Sequence, residues 1–263
     1  MRKFILFLIF ASTISLANAW VPRSEEGILL FATKYLTPQA KSLVDIHFGE
    51  SYRDDVQYLY NLEKKEVAKH TKEIHYVHLN KNLKPANVEG DDALKALEGA
   101  LAVVRNHQSH SSGEVKTAMR IVANLICDIH NFSQYRIKGI PHSYNDFEFT
   151  RNRRDYGPDI NEKVPIKWSH LWNSFGYRHK GFSASLWAED MELSSGDKFE
   201  EYSQGTLREW VEQNGAKAAA YLEVYAPRKN VTTLAYNELE DVNYDMMVRA
   251  GYRFAKLLND AVK

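Results

Sequence analysis

Asn124 and Asp128 stand four residues apart inside an apolar run, Ala118, Ile121, Val122, Leu125, Ile126 and Ile129. That spacing places both side chains on one face of a helix. A carboxylate beside an apolar helix face serves as an ion-pair partner or cap, or as part of a site kept dry enough for chemistry. His75 lies in the short apolar stretch Glu73-Ile-His-Tyr-Val77, where an imidazole is a hydrogen-bonded core group or a ligand. Asp54 and Asp55 precede Val56 and suit the start of a helix, where acidic groups favour the dipole. His107 and His110 bracket a polar Gln-Ser turn and read as surface, while His142 and His179 have no partner in the pattern. Nothing in the sequence matches a Ser–His–Asp arrangement, a phosphate-cradling glycine loop or an HExxH site.

The elements that must position these groups read as helices. Ile28, Phe31, Ala32, Tyr35 and Leu36 recur at the spacing of one helix face. Thr37-Pro38 then suits a restart, since proline is tolerated in a helix's first turn. Ser111-Ser-Gly113 is a break before the stripe that carries Asn124 and Asp128. Val242, Met246, Ala250, Phe254 and Leu258 predict a C-terminal helix with one apolar face. Between about 131 and 180 the periodicity gives way to aromatic, Gly- and Pro-containing sequence, which predicts a long irregular excursion. With no repeat, linker or charge block, the expectation is one all-α domain.

Composition narrows the partners. The 263 residues carry 34 basic and 34 acidic side chains, so a protein that grips nucleic acid by bulk positive charge is excluded. A single cysteine, Cys127, excludes a disulfide framework and a cysteine-based zinc ribbon. Arg2-Lys3, the apolar run from Phe4 through Ile14, and Ala17-Asn-Ala19 together predict an export leader cleaved before Trp20. The apolar stretch is short for a membrane span, and an uncleaved N-terminal anchor is the alternative. A chain starting at Trp20 has 32 basic against 34 acidic residues, faintly negative.

Several segments resemble the nuclease S-one/P-one family, exported helical zinc-dependent nucleases that prefer single strands and are related to zinc-dependent phospholipases C. Ala118-Met-Arg-Ile-Val-Ala-Asn-Leu-Ile-Cys-Asp-Ile-His-Asn131 resembles the family's A-L-x-x-L-x-H-x-x-G-D-x-H-Q-P-L-H signature. Ala250-Gly-Tyr-Arg-Phe-Ala-Lys-Leu-Leu-Asn259 is similar to its closing A-G-x-R-L-A-x-L-L-N. Ala32 to Ala40 resembles its opening helix, and Asp155-Tyr-Gly157 the start of its D-x-G-G-N turn. Cleavage before Trp20 fits as well, because family members begin with a tryptophan whose amine binds metal.

The resemblance implies three zinc ions held by nine residues, and this sequence keeps only part of that set. Trp20, Asp54, His75 and Asp128 stand at four ligand positions, with Asp55 the alternative to Asp54 under a one-residue shift. Glu25 and Asn124 stand where two histidines are expected. Gln134, and Ser169 and Asn173 within Ser-His-Leu-Trp-Asn (169–173), replace the ligands of one whole ion, with His170 displaced by one residue. Neutral amides and hydroxyls are poor zinc ligands, so that ion is expected to be absent. The remaining set, Trp20, Glu25, Asp54, His75, Asn124 and Asp128, is rich in oxygen. One or two divalent ions bridged by Asp128 are expected there, zinc by family, or calcium, magnesium or manganese by ligand chemistry; no metal at all is the alternative.

In such a centre the resemblance gives Asp54 the role of orienting the attacking water, in a hydrolysis that releases 5′-phosphate products. Losing one ion removes several kcal/mol of transition-state stabilisation, and each ~1.4 kcal/mol is tenfold in rate. Two expectations follow. One is an exported phosphoesterase of reduced or lost activity on single-stranded nucleic acid or nucleotides. The other is an inactive relative that binds rather than cleaves. Tyr144, Phe147, Phe149 and Tyr156 could stack bases in either, or simply pack a long loop.

Overall fold

The computed structural model describes residue 20 and residues 22–49, 72–140, 148–152, 163–173, 181–225, 230–231 and 233–263. Asp54, Asp55, His142, His179, Asp155-Tyr-Gly157, Tyr144, Phe147 and Tyr156 lie outside them, as does the segment 1–19 expected to be a leader. The architecture is mainly helical. Among the described residues nine helices run in the order α1 (Pro22–Thr33), α2 (Pro38–Phe48), α3 (Ala93–Arg105), α4 (Ser112–Asp128), α5 (Trp168–Asn173), α6 (Ala184–Ser195), α7 (Phe199–Tyr202), α8 (Leu207–Tyr225) and α9 (Thr233–Ala261). None among the described residues is long and apolar enough to cross a membrane.

Local chemistry sets the helix starts. Thr37 caps α2 through its hydroxyl, which accepts from the Ala40 amide, and Pro38 occupies the first turn as expected. At 111–113 the break is narrower than expected: Ser111 alone is the cap, and Ser112 and Gly113 already belong to α4. Ser111 and Glu114 form a reciprocal capping box, Ser111 N donating to Glu114 Oε2 at 2.8 Å and Glu114 N to Ser111 Oγ at 3.3 Å.

The long helix α9 is the hub, and it packs on α1, α2, α3, α4 and α7. Of its predicted stripe Met246, Ala250, Phe254 and Leu258 are buried in a continuous apolar cluster with α1 and α4, and Val242 is partly buried against it. Close helix approach depends on small residues. Gly251 of α9 lies under Phe31, so a Cβ there would meet the ring at 2.6 Å, and a Cβ on Gly27 of α1 would collide with Trp187 of α6. Tyr35, Phe199, Tyr202 and Tyr252 surround the crossing with mostly edge-on ring contacts.

Short strands punctuate this helical body. β1 (Val77–Leu79) pairs in parallel with β2 (Tyr135–Ile137), in the register Val77 to Tyr135 and Leu79 to Ile137. β3 (Glu148–Asn152) lies between antiparallel β4 (Lys163–Lys167) and parallel β5 (Asn230–Val231). The described part of the 131–180 stretch thus holds a 3-10 turn (Phe132–Gln134), three of these strands and α5. Strands of two to five residues are too short to imprint an alternating pattern, which explains why none was expected.

Candidate functional site

Asp128 closes α4, and its side chain is 2% exposed. The apolar stripe of α4 carries it inward, since Val122, Leu125 and Ile126 are buried on the same helix. His75 ends a 3-10 turn (Lys72–His75) just before β1, and the parallel β1–β2 ladder sets that turn beside the segment that follows Asp128. The two meet: His75 Nδ1 lies 2.9 Å from Asp128 Oδ2. Burial pushes the imidazole toward neutrality, but the charge and hydrogen bond of Asp128 outweigh it and raise the histidine's proton affinity. Burial raises the Asp128 carboxyl more than His75 lowers it. Among the described residues no hydrogen bond reaches His75 Nε2, and the contact that orients the ring is made by Nδ1.

A second pair comes from the start of α1. Trp20 and Glu25 are each 2% exposed, and the Trp20 backbone nitrogen donates to Glu25 Oε1 at 2.7 Å. Glu25 lies in the first turn of α1, where the helix dipole favours a carboxylate. The Trp20 indole donates to Asn243 Oδ1 of α9 at 2.9 Å, and Asn243 Nδ2 donates to the Trp172 carbonyl at 3.2 Å. The thiol of buried Cys127 is pushed well up, by burial first and then by the charges of Glu25 and Asp128. Both carboxylates, and with them the Trp20–Glu25 and His75–Asp128 pairs, lie within electrostatic reach of Cys127.

The other expected ligand positions are neutral. Asn124 shares the Asp128 face by spacing, and its Nδ2 turns back to the Arg120 carbonyl at 2.8 Å. Asn173 Oδ1 accepts from Asn131 Nδ2 at 3.1 Å and from Ser133 Oγ at 3.0 Å. Asn131 Oδ1 accepts from the Ser133 amide at 2.9 Å. Gln134 is 4% exposed beside them, and Ser169 sits on α5 with Asn173. Asn131, Ser133 and Asn243 were not foreseen as members. Asn131 and Ser133 form an Asx turn, which the pattern Asn-x-Ser is able to signal. His107 and His110 sit on the half-exposed rim, against the Val104 carbonyl at 3.1 Å and near Glu114 at 3.9 Å.

Ligand geometry decides whether this patch suits the zinc centre that the motifs imply. Two nitrogen or oxygen ligands on one tetrahedral zinc, each ~2.1 Å from it, stand about 3.4 Å apart. Trp20 N to Glu25 at 2.7 Å and His75 to Asp128 at 2.9 Å are hydrogen-bond separations, so these donors point at each other rather than at a common centre. Among the described residues no group of three or more His, Cys, Asp or Glu converges as a metal-holding set. One imidazole and two self-paired carboxylates do not fit a multi-zinc centre. Compared with models of protein families and with curated proteins, the chain matches none.

Proposed function

We propose that the chain is an exported protein of the S-one/P-one nuclease type in which hydrogen bonds between side chains have taken over the metal positions, and that it binds single-stranded nucleic acid or nucleotides without hydrolysing them at a family-like rate. The helical body, the placement of the 118–131 and 250–259 motifs on α4 and α9, and Asp128 at the end of α4 support the family reading. The observation that carries loss of catalysis is the pairing itself. Glu25 is held on Trp20 N, Asp128 on His75, and Asn173 on Asn131 and Ser133. Phosphoester hydrolysis by two metals requires carboxylates and imidazoles free to face the ions.

The test uses protein starting at Trp20, with anisotropy of labelled single-stranded DNA and hydrolysis of DNA and 3′-nucleotides across zinc, manganese, magnesium and calcium. Binding without metal-dependent turnover is expected. Hydrolysis that rises with added metal and disappears in His75→Ala would overturn the reading. A second reading, a slow phosphoesterase, is favoured by one observation. Asp128 fixes His75 by Nδ1, and among the described residues nothing hydrogen-bonds Nε2, an arrangement able to accept a proton from a nucleophile. Metal-independent hydrolysis that is lost in both His75→Ala and Asp128→Asn would select it.

A further inference from the structure

The Trp20–Glu25 contact joins a predicted cleavage point to a buried carboxylate, and its geometry disagrees with a metal-binding role for either group. A metal-bound amine directs its lone pair at the ion, whereas the Trp20 nitrogen directs a hydrogen at Glu25 Oε1 across 2.7 Å. The rest of Trp20 is anchored independently, by the indole hydrogen bond to Asn243 and by burial of the ring to 2% exposure. The nitrogen is therefore held against the carboxylate whatever precedes it.

We propose that Glu25 is the seat of the mature N-terminus: cleavage between Ala19 and Trp20 leaves an α-ammonium that forms a buried ion pair with Glu25, in the position where the family places metal. The inference rests on the export reading given under Proposed function. In the cleavage, water adds across the Ala19–Trp20 amide. Its oxygen goes to the Ala19 carboxylate, and the Trp20 nitrogen, now an amine, takes up protons to become the ammonium. Before cleavage a neutral N–H faces Glu25; afterwards a cation with three donors occupies the same place. A charge-assisted bond to a carboxylate is roughly twice as strong as a neutral one, so processing strengthens the contact that pins α1. The leader's removal thereby becomes a step that stabilises the fold and closes one metal position with the chain's own amine.

The experiment starts from the full-length gene expressed for export, with the secreted protein analysed by intact mass. An N-terminus at Trp20 is expected, and any other overturns the proposal. Thermal unfolding is then measured for chains that begin at Trp20 or carry one glycine before it, each with and without Glu25→Gln. Breaking a buried ion pair is far more damaging than losing a neutral hydrogen bond. Glu25→Gln should therefore lower the midpoint by about 5 °C or more in the Trp20 chain, and by less than half as much in the extended one. Equal losses in both chains overturn the ion pair. If the variants fail to fold, acylation of the native α-amine decides: seated, it should react at least ~10-fold more slowly than in denaturant, and equal rates overturn the proposal. One equivalent of zinc should leave the Trp20 chain's midpoint unchanged, whereas a rise abolished by the added glycine restores the metal role. None of these measurements reads nucleic-acid binding or hydrolysis, so that reading stands or falls separately.

Discussion

His130 Nε2 accepts a hydrogen bond from Arg253 Nη1 at 2.9 Å, deep between α4 and α9, and no carboxylate among the described residues touches that guanidinium. The Nδ1 of His130 donates to the Ile126 carbonyl at 2.7 Å, so Nε2 must be the bare, accepting nitrogen. Arg253 spends Nε on the Tyr202 carbonyl at 3.0 Å and lies 4.8 Å over the Trp210 ring. The direct contacts of this buried cation are thus neutral, with Arg249 and Asp245 acting on it from farther away, and a second cation on His130 would be repelled.

Acid should therefore weaken the fold through His130. Burial first, and then the charge of Arg253, hold its imidazole well below the usual histidine range. A lowered folded-state value means that the unfolded chain binds the proton more readily, so stability falls as pH drops below ~6.5, by at most ~1.4 kcal/mol per pH unit for this one group. Urea unfolding at about pH 7.5 and about pH 5 should show a smaller loss in His130→Gln than in the parent. An unchanged loss would remove His130 as the source.

Helix crossings should be intolerant of a methyl group where the packing is tightest. Gly27→Ala drives a Cβ into Trp187 and should cost about 1–3 kcal/mol, read as a lowered unfolding midpoint. Gly113→Ala is the contrast: nothing lies within 4 Å of its Cβ position, and it sits inside α4, so the same change should raise the midpoint by the equivalent of about 0.5–1 kcal/mol. Similar losses at both positions would contradict this account of the α1–α6 crossing.

The start of α4 depends on one hydroxyl. Ser111→Ala removes the capping box and should destabilise by ~1 kcal/mol, while Ser112→Ala, one position inside the helix, loses only an exposed hydrogen bond to His47 Nδ1 and should cost less. Chemical unfolding midpoints of the two variants separate the cap from its neighbour.

Restoring the lost side chains should restore an ion if the resemblance locates them correctly. α5 packs on the 3-10 turn that carries Gln134, and Asn173 already accepts two hydrogen bonds there, both of which a carboxylate can also accept. The combined Gln134→His, Ser169→His and Asn173→Asp variant should retain about one zinc per chain in elemental analysis, with none in the parent. A metal-free triple variant that remains folded would argue that these positions do not face a common point.

How much of this was legible follows the range over which each interaction acts. α1, α2 and α9 were readable because apolar periodicity and a Thr-Pro start are local signals. α8 left less trace, since its Gly215 is chosen for contact with Leu79 and Tyr135, residues far away in sequence. The Asn124–Asp128 face was visible, yet their different partners were not, because the approach of His75 depends on a parallel pairing between residues 77–79 and 135–137. The pattern identified Glu25 as a replaced ligand; only packing revealed the nitrogen it holds.

The hydrogen bond from the Trp20 indole to Asn243 spans 223 positions, and α1 rests on α9 along its length. During synthesis α1 is made long before the helix it rests on. The core cannot close around α1 until α9 has left the ribosome, so the order of translation itself delays folding.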